Sequence, residues 1–477
     1  GATDNFFEIG GTSLVAIRVV MAAMQNGYKI VYKQVFDNPT PRALAALQGT
    51  ASETNASNAS SIPTTSSEAE IVNDGTDPEV QDYDYSAINE LLKKNNLSSL
   101  HAEPLRPLGT CIVTGATGYL GIHVVKELID NADVPAIYCL VRSNRRQNAE
   151  SRFRTQLFYY FGSTYEELFG SRIFVVDGDI TKPDCLDAIP VTSLSGPMTV
   201  FNCAANVKHF SAGTDIEDIN IGGCQTCIDF CLKTGARLIQ TSTHSIAGTK
   251  ESSQPCQPDN ISESRLYLGQ KLGNQYAHAK FIAERNVLEA IAGKGLDGKI
   301  MRLGNLSARS TDGEFQINFT TNSFMGRLKA FQTIGCMPYQ MAQRSIEFSP
   351  INEVAKAVVT LATTPRDCTV FHPVNAQRQL FDNIIVCLNR LGVNIDLVEN
   401  DEYTQALNNA FSDPAKAPIL QSLMAYQTEA GKYVVANGDN YEYTTQALLR
   451  LGFRWNFTSW DYMEQFISAI QGLGFFD

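Results

Sequence analysis

Tyr276 and Lys280 stand four residues apart, a spacing that places both side chains on one face of a helix. An ammonium beside a phenol lowers the phenol's pKa from its ordinary value of about 10, so such a pair can pass a proton near neutrality. Upstream lies a hydroxyl-rich run, Thr241-Ser242-Thr243-His244-Ser245-Ile246-Ala247-Gly248. Any of its hydroxyls could hold an oxyanion, and any could merely cap the loop. At the other end of the chain, Ser13 follows Gly10-Gly11-Thr12. A serine there caps a helix, and the Gly-Gly turn before it exposes the hydroxyl to a modifying enzyme.

These groups need elements to position them. Thr110-Cys111-Ile112-Val113-Thr114 reads as a strand, and Ile122-His123-Val124-Val125-Lys126-Glu127-Leu128 as a helix. Between them run Thr114, Gly115, Thr117, Gly118, Tyr119, Leu120 and Gly121. Strand, glycine turn and helix together make a dinucleotide site, in which backbone approaches the pyrophosphate and the helix N-terminus faces the anion. A second strand, Ala136 to Val141, ends in Arg142, with Arg145 and Arg146 close behind, where an NAD site usually places Asp or Glu. Positive charge at that point suits a 2′-phosphate, so NADPH is expected over NADH. The small residues of Asn202-Cys203-Ala204-Ala205, after a fourth strand, would let ribose and nicotinamide lie against the backbone.

Three segments divide the chain. Residues 1–50 carry short amphipathic helices: Leu14, Ile17, Val20 and Met21 share a face, and Asn38-Pro39-Thr40-Pro41 starts another helix. Residues 51–84 are rich in Ser, Thr, Asn and Glu, the composition of a flexible linker. A coil of that length spans on the order of 30 Å, which holds its two ends at an effective concentration near the millimolar range. The third segment, 85–477, opens with an amphipathic helix at Ile88–Lys93 and comprises a nucleotide-binding core over about 105–305 and a mainly helical portion over about 306–477, in which Phe315 to Lys329 and Asp401 to Leu423 read as helices.

The motif Asp4-Asn5-Phe6-Phe7-Glu8-Ile9-Gly10-Gly11-Thr12-Ser13-Leu14, with Phe36-Asp37-Asn38-Pro39-Thr40, resembles the second half of the carrier (thiolation) domain of nonribosomal peptide and polyketide synthases. That resemblance implies a 4′-phosphopantetheine arm on Ser13, installed by a phosphopantetheinyl transferase. Residues from about 85 onward resemble the terminal thioester reductase domains of the same assembly lines, which are extended short-chain dehydrogenases. The resemblance selects Thr243, five before Gly248, as catalytic hydroxyl beside Tyr276 and Lys280, and puts Asp179 and Ile180 against the adenine. It implies an α/β fold with a doubly wound parallel sheet and a helical substrate-binding portion. Two positions depart from the family pattern: Ala279 replaces the usual Ser or Thr, and Leu303-Gly304-Asn305-Leu306-Ser307 replaces a proline-rich strand end. The expected activity is NADPH-dependent release of an acyl or peptidyl thioester as an aldehyde, with alcohol as the product of a second hydride.

Composition agrees with a globular protein: 44% of the 477 residues are hydrophobic and 18% charged. The net charge of −12 argues against nucleic acid or an anionic membrane as main partner. No apolar run reaches the roughly 18 residues of a membrane span. Eleven cysteines are too few for a disulfide scaffold, and the cytosol is the expected compartment. Cys224, Cys227 and Cys231 share one helical face and read as core packing, with no metal expected. The rival readings are a non-redox, Dieckmann-type cyclising release domain, a sugar-nucleotide epimerase or dehydratase, and a chain whose first 50 residues only dock.

Overall fold

Strands alternating with helices favour a parallel sheet covered on both faces. The computed structural model of the chain has that architecture. It describes residues 1–9, 32–49, 77–95, 98–211, 213–252, 257–411 and 433–476, with isolated positions at 16, 19, 20, 23, 28, 30, 413, 415, 416, 419, 420 and 423. Ser13 and residues 51–76 lie outside the described residues.

The sheet strands are β1 (Thr110–Thr114), β2 (Ile137–Val141), β3 (Ile173–Asp177), β4 (Met198–Asn202), β5 (Arg237–Thr243), β6 (Gly298–Leu303) and β7 (Val370–Phe371). They pair in parallel, in the spatial order β7-β6-β5-β4-β1-β2-β3. The order reverses between β1 and β4, which opens a crevice at the C-terminal strand ends. Side chains alternate across the sheet. Cys111, Val113, Cys139 and Phe201 pack under the helices Tyr119–Asp130, Ala149–Phe161 and Ile351–Ala362. Ile112, Leu140, Val200 and Leu238 pack under Ser86–Lys93, Gly223–Thr234 and Gln275–Lys294. Cys224, Cys227 and Cys231 are buried in that second layer.

A third core joins Phe331, Phe381 and Phe466 of the helices Ser323–Ile334, Phe381–Arg390 and Trp460–Gly472. This is the helical C-terminal portion. Trp455 packs on the first core, and the Arg390 guanidinium lies 4.6 Å above the Trp460 ring. No helix among the described residues is long and apolar enough to cross a membrane.

Three local expectations need correction. Folded chain begins before residue 85: Pro78–Gln81 is a short helix, Val80 is 2% exposed, and Arg285 pairs with Glu79 at 3.0 Å. Residues 77–84 therefore dock instead of continuing the linker. The helix expected from Phe315 starts at Ser323, where Asn322 caps it by accepting from Phe324 N and Met325 N. The helix expected over Asp401 to Leu423 ends at Phe411, and part of the remainder lies outside the described residues. Glu347 to Asn352 leads the chain back onto the main fold through the helix Ile351–Ala362, which packs in the first core. Ser345–Glu347 pairs with Arg378–Leu380, and Ser349–Pro350 with Leu306–Ser307, while the edge strand is β7.

Candidate active site

Thr243 closes β5, and Tyr276 and Lys280 sit in the first turns of the helix Gln275–Lys294. That helix starts sharply because Asn274 accepts from Ala277 N at 2.9 Å. The three side chains converge. Tyr276 hydrogen-bonds Thr243 through its side chain, and Lys280 Nζ donates to the Thr241 carbonyl at 2.6 Å. Thr243 also donates to Ser245 Oγ at 3.2 Å and accepts from Ser245 N. Among the competing hydroxyls, Ser242 turns the other way and donates to Glu284 at 2.6 Å. Thr241 donates to the Asn202 carbonyl at 2.8 Å.

Burial dominates the electrostatics here. It pushes the Tyr276 phenol up to about 12, against the lowering effect of the Thr243 bond. It pulls the Lys280 ammonium down to about 8, opposed by Cys224, Cys203 and Glu284. In this geometry the shift of the phenol comes from burial and Thr243, while Lys280 Nζ gives one of its three N–H donors to the Thr241 carbonyl. A phenol that keeps its proton at neutral pH is fitted to donate one.

The glycine turn stands next to this trio. Gly115 has φ +64°, and a Cβ there would lie 2.6 Å from Ala204 N. A Cβ on Gly121 would lie 2.1 Å from the Gly115 carbonyl. Gly118, which is exposed, caps the helix Tyr119–Asp130, whose N-terminus thus opens on the glycine turn. Thr117 is half-buried in the same turn. These features form a backbone cradle of the kind a pyrophosphate occupies.

Other expected contacts divide between cradle and core. Arg142 ends β2 and pairs with Asp179 at 3.2 Å, its side chain 64% exposed. Arg145 is exposed nearby. Tyr119 turns away from the cradle and donates to the Ser307 carbonyl at 2.9 Å, while Leu120 and Ile180 are core. Thr114 and Asn202 are buried and bonded together at 2.6 Å, and Asn202 donates on to Gln240 at 2.8 Å. Both thus brace the strand ends from inside the sheet.

Two further groups carry no local sequence signal. Arg302 on β6 is fully buried and donates to Glu284 at 2.6 Å. Glu347 is 3% exposed, accepts from Asn305 N at 2.6 Å, and has its carboxyl pushed up by burial, with His244 opposing. A Cβ on Gly304 would lie 2.6 Å from that carboxylate, which accounts for glycine in the departing strand end.

The sequence model of the male sterility protein family, an NAD-binding domain, matches residues 113–358, just over half of the chain. The chain belongs to this family. The phosphopantetheine attachment site family matches residues 1–47. A solved thiolation-reductase di-domain from an archaeal non-ribosomal peptide synthetase superposes with a TM-score of 0.84 at 31% identity, covering 100% of this chain and 94% of that one. The nonribosomal peptide synthetase asaC of Aspergillus flavus is 25% identical over 90% of this chain and 40% of its own length. The L-2-aminoadipate reductase of Schizosaccharomyces pombe is 24% identical over 88% of this chain and 30% of its own length. The chain thus spans a minor part of these curated relatives, and is a carrier domain joined to a reductase domain of the thioester reductase type.

Proposed function

We propose that the chain releases an acyl or peptidyl thioester from its phosphopantetheine arm by NADPH-dependent reduction, giving an aldehyde and the free thiol. The observation that carries this reading is the bonded Thr243–Tyr276 pair beside Lys280, one strand from the glycine cradle. Ser13 is the proposed attachment point of the arm. When bound, a reduced nicotinamide supplies the hydride.

The chain's own groups do the remainder. Thr243 holds the thioester oxygen as charge develops on it, and Tyr276 donates the proton. Lys280 supplies positive charge behind the phenol and a donor for the ribose. The thiohemiacetal so formed collapses to aldehyde, with the pantetheine thiol leaving. Gly115, Gly118 and Gly121 admit the pyrophosphate, and Arg142 and Arg145 meet the 2′-phosphate. Arg142 is paired with Asp179, so phosphate binding exchanges one partner for another of like charge.

The test is nicotinamide absorbance at 340 nm with an acyl-pantetheine thioester, NADPH or NADH, and the Tyr276→Phe variant. NADPH oxidation with aldehyde as product, lost in the variant, is the expected outcome. Conversion of the thioester with no nicotinamide oxidised would move the chain to the cyclising class.

A further inference from the structure

One loop of the reductase domain touches the cofactor cradle, the catalytic helix and the carrier domain. It follows β4. At its start, Ala204 is the residue against which a Cβ on Gly115 would collide. In its middle, the His209 carbonyl accepts from Gln275 N at 3.1 Å, and Ser211 N donates to Gln275 Oε1 at 2.5 Å. Gln275 opens the catalytic helix and immediately precedes Tyr276. Further bonds brace the loop: Asn206 donates to Asp215 at 2.7 Å, and Asn220 donates to the Asn206 carbonyl at 2.8 Å.

Phe210, between the two residues that hold Gln275, faces the carrier. Its ring lies 5.2 Å from that of Phe36, and Phe36 lies 4.8 Å from Phe7 of the attachment motif. The contact is part of a wider apolar seam. Val20, Val35 and Leu44 of the carrier share a cluster with Ala330 of the helix Ser323–Ile334 and Ala410 of the helix Asn400–Phe411. Aromatic pairs of this kind attract one another beyond the area they bury. The contact ties the loop to the carrier, as the bonds to Gln275 tie it to the catalytic helix.

We propose that the 203–215 loop couples carrier docking to catalysis: Phe36 seated on Phe210 fixes the loop, and the loop fixes Gln275 and so the start of the helix bearing Tyr276. The carrier is then both the bearer of the substrate and an activator of the site that consumes it, acting in cis. Gln275 is a positioning residue, since it works through Tyr276. This inference rests on the reductive reading above.

Coupling and simple tethering predict different behaviour toward a substrate that needs no carrier. The experiment compares holo wild type with Phe36→Ala, Phe36→Tyr, Gln275→Ala and Gln275→Glu, using a free acyl-pantetheine thioester and NADPH, with nicotinamide binding measured separately. Phe36→Ala should lower kcat for the free thioester by about fivefold or more with nicotinamide affinity unchanged, and Phe36→Tyr, which keeps the ring, should restore it. Gln275→Ala should lower kcat likewise, and Gln275→Glu, which keeps an acceptor for Ser211 N, should recover it in part. The double variant Phe36→Ala/Gln275→Ala should fall short of the product of the single effects, because both break one path. An unchanged kcat for the free thioester in Phe36→Ala, or fully multiplicative effects in the double variant, would overturn the coupling. A wild-type protein that oxidises no nicotinamide would overturn the reductive reading itself, and this inference with it.

Discussion

Ser242 donates its hydroxyl to Glu284 at 2.6 Å, and that bond clamps the strand carrying Thr243 to the helix carrying Tyr276 and Lys280. The other oxygen of Glu284 takes two bonds from Arg302 on the next strand, at 2.8 and 2.6 Å. Arg302 in turn donates to the Ser262 and Arg265 carbonyls, each at 2.9 Å. Both members of the pair are fully buried. A buried pair of this kind contributes little net stability against an apolar substitute, yet losing one member strands the other.

Glu284→Gln should therefore destabilise the fold by about 3–5 kcal/mol, the effect of leaving a buried charge without its partner. Chemical denaturation measures the loss. Turnover should also fall under conditions where the variant remains folded, because the strand bearing Thr243 is no longer pinned to the helix.

The pH profile separates Lys280 from Tyr276. Burial holds Lys280 at about 8 and Tyr276 at about 12. Below pH 8 the ammonium is charged, so kcat/KM should fall as pH rises through about 8. Tyr276 keeps its proton over that range and adds no limb. Stability should move the opposite way. The unfolded chain binds more protons than the folded one between about 8 and the ordinary lysine value of 10.5, so this residue's contribution rises with pH there. Lys280→Met should remove both slopes, as read by denaturation and by rate.

Gly121→Ala tests the cradle. The added Cβ would stand 2.1 Å from the Gly115 carbonyl, and backbone at that distance cannot yield by a side-chain rotation. Nicotinamide binding should be lost, together with about 1–3 kcal/mol of stability. Cofactor titration and thermal unfolding read the two effects.

Arg142→Ala tests cofactor choice. Removing a charge-assisted contact to a 2′-phosphate should lower kcat/KM with NADPH by about tenfold or more, and leave the value with NADH unchanged. Equal losses with both cofactors would instead assign Arg142 to bracing Asp179, its partner at 3.2 Å.

Much of the fold was legible because its signals are local. The strands that became β1, β2 and β4 are short apolar runs, and the glycine turn sits between a strand and a helix. Errors fell where tertiary contacts override local pattern. Residues 77–84 read as linker, yet Val80 is buried in the second core. In the site, Tyr276 and Lys280 were legible from their spacing taken together with the glycine turn and the hydroxyl-rich run before them, whereas Thr243 needed a family pattern to stand out among four hydroxyls. The structure sorts the candidates by partner: Thr241 and Ser242 are bonded inside the core, and Thr243 bonds Tyr276.

By itself the sequence determined the glycine turn between strand and helix and the shared helical face of Tyr276 and Lys280, because periodicity, glycine placement and helical spacing act over a few residues, while the doubly wound sheet and the carrier domain were read from family resemblance. Tertiary structure decided what no local rule encodes. It set the direction in which Tyr276 and Lys280 shift, since burial depends on all that surrounds a group. It joined Glu284 to Arg302 across 18 positions and Glu347 to Asn305 across 42. It also brought Phe36 against Phe210, from segments that only a folded chain sets side by side.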